Sequence, residues 1–337
     1  MRASFIALAS LALTLHCSSG EVVNRYDSCE KITIGPGTED FALSPSTDTI
    51  FVSSHERRKW TTPGDIYTYA VKTRAVKKLT RSGEPTDVFF SPHGIDLYEQ
   101  GRDRYLYVVN HGKELNDADQ SILIYRISGD SLVFVTRVRS EFINSPNDVA
   151  VAENGSFYVT NDHGSRGSMW EILWGLRRSK IAFCTLSGLN ANSSATCVVA
   201  ADGVAMANGP LVRGDKVYVT ATRDDALFEF KRNADGTLSD KRKLASLAGP
   251  DNLSWHEQSL ITASHTSNWK FYRHFKNASN HAPSHIAAIK AEGGEVTPLY
   301  FNAGERISAA SGAFVYQSRL YISQVFEDAI FECQPVR

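Results

Sequence analysis

One motif returns along this chain at intervals of about 45 to 60 residues, a period that marks repeat arrays such as propeller blades. Its clearest copy is Asn144-Ser145-Pro146-Asn147-Asp148-Val149-Ala150-Val151, a turn at Glu153-Asn154-Gly155, then Phe157-Tyr158-Val159-Thr160-Asn161-Asp162-His163-Gly164. Two apolar runs joined by Asn-Gly predict a β-hairpin, because both turn residues accept positive φ. Polar residues stand where the first strand enters and where the second leaves. Further copies open at Glu39-Asp40, in the stretch from Asp87 to Ile95, at Asn208, at Asp251-Asn252 and, more weakly, at Ala313. Each is followed by a second apolar-aromatic run, and runs such as Ile122-Leu123-Ile124-Tyr125 fill the intervals. Four strands per repeat predict an all-β fold, a six-bladed β-propeller; the spacing alone also admits five or seven blades.

The chain ends constrain the ring. Arg2, an apolar run over residues 5–15 and small residues at Ser18, Ser19 and Gly20 predict a secretory signal over residues 1–20, and residues 21–337 then form one domain. Beyond that signal four cysteines remain, Cys29, Cys184, Cys197 and Cys333, an even number in an oxidising compartment. Cys184 and Cys197 flank a polar loop between two strand-like runs, which predicts a local bridge. Cys29 then pairs with Cys333, a bridge that would tie the first strand to the last and close the ring. With 42% hydrophobic and 22% charged residues the chain buries an ordinary core. Its net charge of −1 supplies no field for nucleic acid or an anionic membrane, and both are excluded as global partners.

In a propeller the heads of the innermost strands meet at one mouth of the central channel. Glu39, Asp40, Asn147, Asp148, Asn208, Asp251 and Asn252 would converge there. This set carries only oxygen donors, which suits a hard cation such as Ca²⁺ rather than zinc. Unpaired carboxylates crowded into a channel are costly, and a cation relieves that cost. One segment departs from the strand pattern: residues 168–178 have the spacing of a short amphipathic helix in an inter-strand loop. It either packs on the ring or serves as a lid or a lipid or lipoprotein contact over residues 170–178, since Trp170, Leu173 and Trp174 stand beside Arg177 and Arg178.

The motifs Gly37-Thr38-Glu39-Asp40, Ser91-Pro92-His93-Gly94-Ile95, Val108-Val109-Asn110-His111, Asn147-Asp148, the run from Phe157 to His163, Ala207-Asn208-Gly209 and Asp251-Asn252 together resemble the serum paraoxonase/arylesterase family. The match spans nearly all of residues 21–337, in order. The resemblance implies a six-bladed propeller with two calcium ions in its channel. A catalytic ion would be held by Glu39, Asn147, Asn208, Asp251 and Asn252. A deeper structural ion would be held by Asp40, Asp148 and the backbone carbonyl of Ile95. His93 and His111 match the family's histidine dyad, and His265, with His163, would line the wall. Ser264 stands where members often carry a cysteine, so a thiol role at that position is ruled out.

These residues describe a secreted calcium-dependent hydrolase of lactones or aryl esters, with phosphotriesters as incidental substrates. Calcium would polarise the carbonyl and the histidine pair would activate water. No Gly-x-Ser-x-Gly elbow indicates a serine nucleophile. Two other readings use the same channel: non-hydrolytic chemistry of the strictosidine-synthase-like or cyclase kind, and a calcium-stabilised extracellular binding protein. Sequons at Asn154, Asn192 and Asn277 are expected glycan acceptors; that at Asn252 must stay bare if it binds calcium.

Overall fold

The computed structural model describes residues 24–114, 117 and 119–336, so the expected signal over residues 1–20 lies outside the described residues. Six sheets follow one another around a ring, as the repeat predicted, antiparallel except where Thr80–Ser82 joins the edge of the second in parallel. Blades 1 to 5 are built from residues 41–78, 80–138, 146–204, 207–246 and 250–302. Blade 6 takes three strands from the C-terminal end, within residues 310–335, and its outermost strand, Tyr26–Thr33, from the N-terminal end. The Cys29–Cys333 disulfide lies within this closing pair of strands, and Cys184–Cys197 bridges paired positions of blade 3.

Why the second strands read as continuous apolar runs follows from the ring. On Asp103–Asn110, Leu106 and Val108 pack with Phe51 and Ile66 of blade 1, while Tyr107 and Val109 pack with Phe157 and Val159 of blade 3. Side chains alternate between faces, and here both faces are interior, so neither alternate set can be polar.

The innermost strands are Phe41–Ser44, Pro92–Gln100, Pro146–Val151, Ala207–Arg213, Pro250–His256 and Ala310–Tyr316. In blades 2 to 6 the first residue pairs with its neighbour, and the ladder then shifts register before resuming three residues on. Such a bulge frees two residues to aim at the channel. Those pairs are His93-Gly94, Asn147-Asp148, Asn208-Gly209, Asp251-Asn252 and Ser311-Gly312, and Glu39-Asp40 holds the matching place ahead of Phe41. At the second position polar residues and glycines alternate: Asp40, Gly94, Asp148, Gly209, Asn252, Gly312. A Cβ on Gly94 would lie 2.1 Å from Asp148 Oδ1, and one on Gly209 would lie 2.7 Å from Asn252 Cα. The ring admits a side chain from every other blade only.

Two sequence expectations need correction. The second repeat does not begin at Asp87, an exposed residue paired with Arg137 at 2.9 Å; its inner strand starts at Pro92. The helix expected over residues 168–178 is α1, Met169–Trp174, shorter because Gly175 turns left-handed (φ 58°) and ends it. Trp170 and Trp174 on it are 66% and 71% exposed. A second helix, α2 (Asn268–Lys276), was not anticipated. Its Ser267 cap accepts from Lys270 N at 3.3 Å, and Phe271 and Phe275, four apart, pack on Phe326. Among the described residues no helix is long and apolar enough to cross a membrane.

Candidate active site

The bulged strand heads bring Glu39, Asp40, Asn147, Asp148, Asn208, Asp251 and Asn252 to the channel, all buried. The three amides share one arrangement. Asn147 Nδ2 donates to Asp162 Oδ1 (2.9 Å), Asn208 Nδ2 to Thr222 Oγ1 (3.2 Å), and Asn252 Nδ2 to Glu39 Oε1 and Asp40 Oδ1 (3.1 and 3.2 Å). Each amide nitrogen is therefore engaged, whereas Asn147 Oδ1, Asn208 Oδ1, Asn252 Oδ1 and Glu39 Oε2 are buried without a hydrogen-bond partner. Four orphaned acceptors in one channel are a costly arrangement unless a cation meets them. Among the described residues no cluster of three or more His, Cys, Asp or Glu side chains is arranged for a metal. Much of this donor set is amide oxygen, which suits Ca²⁺.

The electrostatics agree with that fit. Burial, then the charge of Glu39, raises the Asp40 carboxyl well above its ordinary range, and burial followed by Asp40 does the same to Asp148. Burial also raises Asp251, against the opposing hydrogen bond from His265 at 2.7 Å. Burial pushes Glu39 upward as well, but His93, Arg57 and Asn252 outweigh it and hold the group below its ordinary value. Without a cation the deep carboxyls resist ionisation together; a divalent ion removes the conflict.

Two of the seven residues line a cavity that the others do not. A cavity of about 210 Å³ in the channel is lined by Asp40, Ile95 and Asp148, together with Asp96, Val151 and Trp255 among others. Glu39, Asn147, Asn208, Asp251 and Asn252 do not line it. Ile95 enters through its backbone, whose N–H donates to Asp40 Oδ2 at 2.7 Å.

The histidine pair is in contact. His93 Nδ1 lies 2.6 Å from His111 Nε2, and His111 Nδ1 lies 2.7 Å from Gln120 Oε1. Gln120 Nε2 donates to the carbonyls of His111 and Asp117, so its Oε1 must accept. In the neutral pair this orders the protons: His111 carries hydrogen on Nδ1, its Nε2 accepts from His93 Nδ1–H, and His93 Nε2, 3.5 Å from Glu39 Oε2, is free to take a proton, the form in which it stabilises the Glu39 carboxylate. Burial and then His93 hold the His111 pKa well below its ordinary value, which keeps it neutral.

His163 is buried, with its backbone N–H donating to Ser145 Oγ at 3.0 Å. His265 binds Asp251 and packs tilted against Phe271 of α2, ring centroids 4.4 Å apart. Sequence reasoning passed over Asp162, although it sits inside the Asn-Asp-His triplet, and Trp60, whose ring lies 5.8 Å from that of His111. It also passed over Arg57, which in sequence is one cation in the charged run Glu56-Arg57-Arg58-Lys59.

Fold and site together define a closed six-bladed propeller with an oxygen-lined channel and an imidazole pair at its mouth. The arylesterase family profile matches residues 36–334, and the chain belongs to that family, which supports a hydrolase of the esterase or lactonase type. Serum paraoxonase/arylesterase 1 of Mus musculus is 26% identical over 322 residues, covering 88% of this chain and 86% of the relative. Serum paraoxonase/lactonase 3 of Homo sapiens is 27% identical over 284 residues, covering 80% and 76%. Among solved structures, a gluconolactonase from Xanthomonas campestris superposes with a TM-score of 0.58 at 17% identity, covering 91% of this chain and 89% of that one. A calcium-binding protein, regucalcin, from Agrobacterium tumefaciens gives 0.55 at 10% identity, covering 90% and 94%. These two likenesses concern the fold.

Proposed function

We propose that this protein is a secreted, calcium-dependent hydrolase of lactones and aryl esters, with phosphotriesters as incidental substrates. The observation that carries the reading is the set of four buried oxygens without partners, Glu39 Oε2, Asn147 Oδ1, Asn208 Oδ1 and Asn252 Oδ1, beside the bare His93 Nε2. Glu39, Asn147, Asn208, Asp251 and Asn252 would hold the catalytic ion; Asp40, Asp148 and the Ile95 carbonyl would hold a structural one. Bound calcium supplies Lewis-acid stabilisation of the negative charge that grows on a carbonyl oxygen. His93 Nε2 takes a proton from water as that water attacks the carbonyl carbon. His111, held by Gln120, fixes the His93 ring and its tautomer. Names of the relatives, paraoxonase, arylesterase and lactonase, supply the substrate classes.

Secretion is supported by the N-terminal signal pattern and by two disulfides, which persist in oxidising compartments. The exposed Trp170, Leu173 and Trp174 of α1 would serve as a lipid or lipoprotein contact. The deciding experiment is a panel of lactones and aryl esters assayed with calcium and after chelation. Hydrolysis that disappears on chelation and returns with calcium is the expected result; turnover unaffected by chelation would defeat the proposal.

A further inference from the structure

Arg57 is a buried cation for which the proposed chemistry above has no use. Its side chain is only 6% exposed, so it cannot serve as an ordinary solvated charge. Nη1 donates to Gly37 O (2.7 Å) and His55 O (3.3 Å), and Nη2 donates to Pro92 O (2.8 Å) while standing 3.9 Å from Glu39 Oε2. Gly37 lies two residues before Glu39, and Pro92 directly before His93. One planar guanidinium thus grips the backbone on both sides of the site, in two different blades, and faces the orphaned oxygen of Glu39. The grip requires glycine: a Cβ on Gly37 would lie 2.9 Å from Arg57 Nη1 and 2.0 Å from His55 O.

The same segment reaches the histidine pair. Trp60 Nε1 donates to Arg57 O at 2.8 Å, and the Trp60 ring packs edge-on against His55 and His111, with centroids 4.6 and 5.8 Å away. Arg57 and Trp60 therefore stand as one unit between Glu39, beside the guanidinium, and His111, beside the indole.

We propose that Arg57 is a positioning residue that sets Glu39 against His93, coupling the ion-binding carboxylate to the general base across the junction of blades 1 and 2. The inference rests on the proposed hydrolytic function. It acts through Glu39 and His93, since the buried guanidinium does not reach substrate. Only a fork of several N–H donors can hold three carbonyls at once; a lysine ammonium keeps the charge but not the geometry.

The test compares the full-length protein with Arg57→Lys and Arg57→Met by lactone kinetics, calcium titration calorimetry and melting temperature, with kinetics run well below each variant's melting temperature. Groups that orient a metal's ligands are worth roughly 10- to 100-fold in affinity or activity. Arg57→Lys is expected to lower kcat by that range with KM unchanged within about twofold, and to weaken the calcium ion assigned to Glu39 by about tenfold. Arg57→Met is expected to lose at least as much. If both variants melt lower but keep parental kcat and calcium affinity, Arg57 is a structural staple and the proposal fails. If Arg57→Lys alone restores both quantities, charge suffices and the clamp geometry is refuted. A parent that binds calcium but hydrolyses no lactone refutes the proposed activity, while the calcium arm still decides the clamp. A parent that binds no calcium refutes both.

Discussion

Asn252 Nδ2 donates to Glu39 Oε1 at 3.1 Å and to Asp40 Oδ1 at 3.2 Å, joining residues 213 and 212 positions apart in the chain. One amide of blade 5 thereby touches both the carboxylate assigned to the upper ion and the one assigned to the deeper ion. Its own Oδ1 stays free and buried. The two proposed ion sites would share this residue, yet of their other proposed ligands only Asp40, Asp148 and Ile95 line the channel cavity, and separate consequences follow for them.

Asp148→Ala removes a carboxylate that lines the channel cavity, whereas Asn208→Ala removes one neutral donor outside it. An ion bound only by the folded state at 100 times its Kd contributes about 2.7 kcal/mol of stability. Asp148→Ala should therefore melt below the parent in calcium buffer. Asn208→Ala should lose turnover far more than stability. Melting curves, calcium titration and lactone hydrolysis check this; parental turnover in Asn208→Ala, or a parental melting temperature in Asp148→Ala, would overturn the two-ion division.

Gly94→Ala tests the alternation around the ring. Its new methyl would meet Asp148 Oδ1 at 2.1 Å, and overpacking of this kind costs about 1 to 3 kcal/mol. Lower thermal stability should come with weaker binding of the calcium ion assigned to Asp40 and Asp148, because Asp148 is the group displaced. Unchanged calcium titration would show that the glycine is incidental.

His93→Gln should leave calcium affinity near that of the parent and remove the base. The expected loss is roughly 10² to 10⁴ in rate, the usual worth of a general base. Turnover retained at the parental level would assign water activation elsewhere.

Glu327 ties α2 to the ring. Its carboxyl bonds His274 Nε2 (3.0 Å) and Arg58 Nη2 (2.8 Å), and the hydrogen bond from His274, then that from Arg58, prevail over burial to hold its pKa at about 2 against an ordinary 4.5. A carboxyl whose folded pKa is depressed contributes stability in full above about 4.5 and loses it as pH falls through about 2. Glu327→Gln should thus melt below the parent at pH 7, with the gap closing between those limits. A gap of constant size across an acid series of melting curves would contradict the assignment.

The two disulfides should differ in weight. Loop-closure entropy allows roughly 5 kcal/mol for a loop as long as that between Cys29 and Cys333, and roughly 3 kcal/mol for one of about 15 residues. The double variant Cys29→Ala/Cys333→Ala should lower the melting temperature more than Cys184→Ala/Cys197→Ala. An inverted order would mean that strand pairing alone closes the ring.

How much was legible depended on whether the signal was local. The repeat, the strand-head residues and the paired cysteines show in sequence because β alternation, turn chemistry and burial on both faces impose a period on each blade. The head of blade 2 was misplaced because Asp87 imitates a strand-head acid, and what demotes it is Arg137, 50 residues away. α2 was missed although Ser267, Phe271 and Phe275 carried its cap and its apolar face. In sequence it reads as an interruption between two strands.

By itself, then, the chain's order of residues determined the all-β class, the repeat and the polar residues at the strand heads, since each is written within a few residues of backbone. Tertiary structure alone decided which of their oxygens are left without partners, which carboxyls share the channel cavity, and that Arg57 lies beside Glu39. Those are relations between blades. They depend on where ring closure sets segments far apart in the chain, and nothing local encodes a distance of that kind.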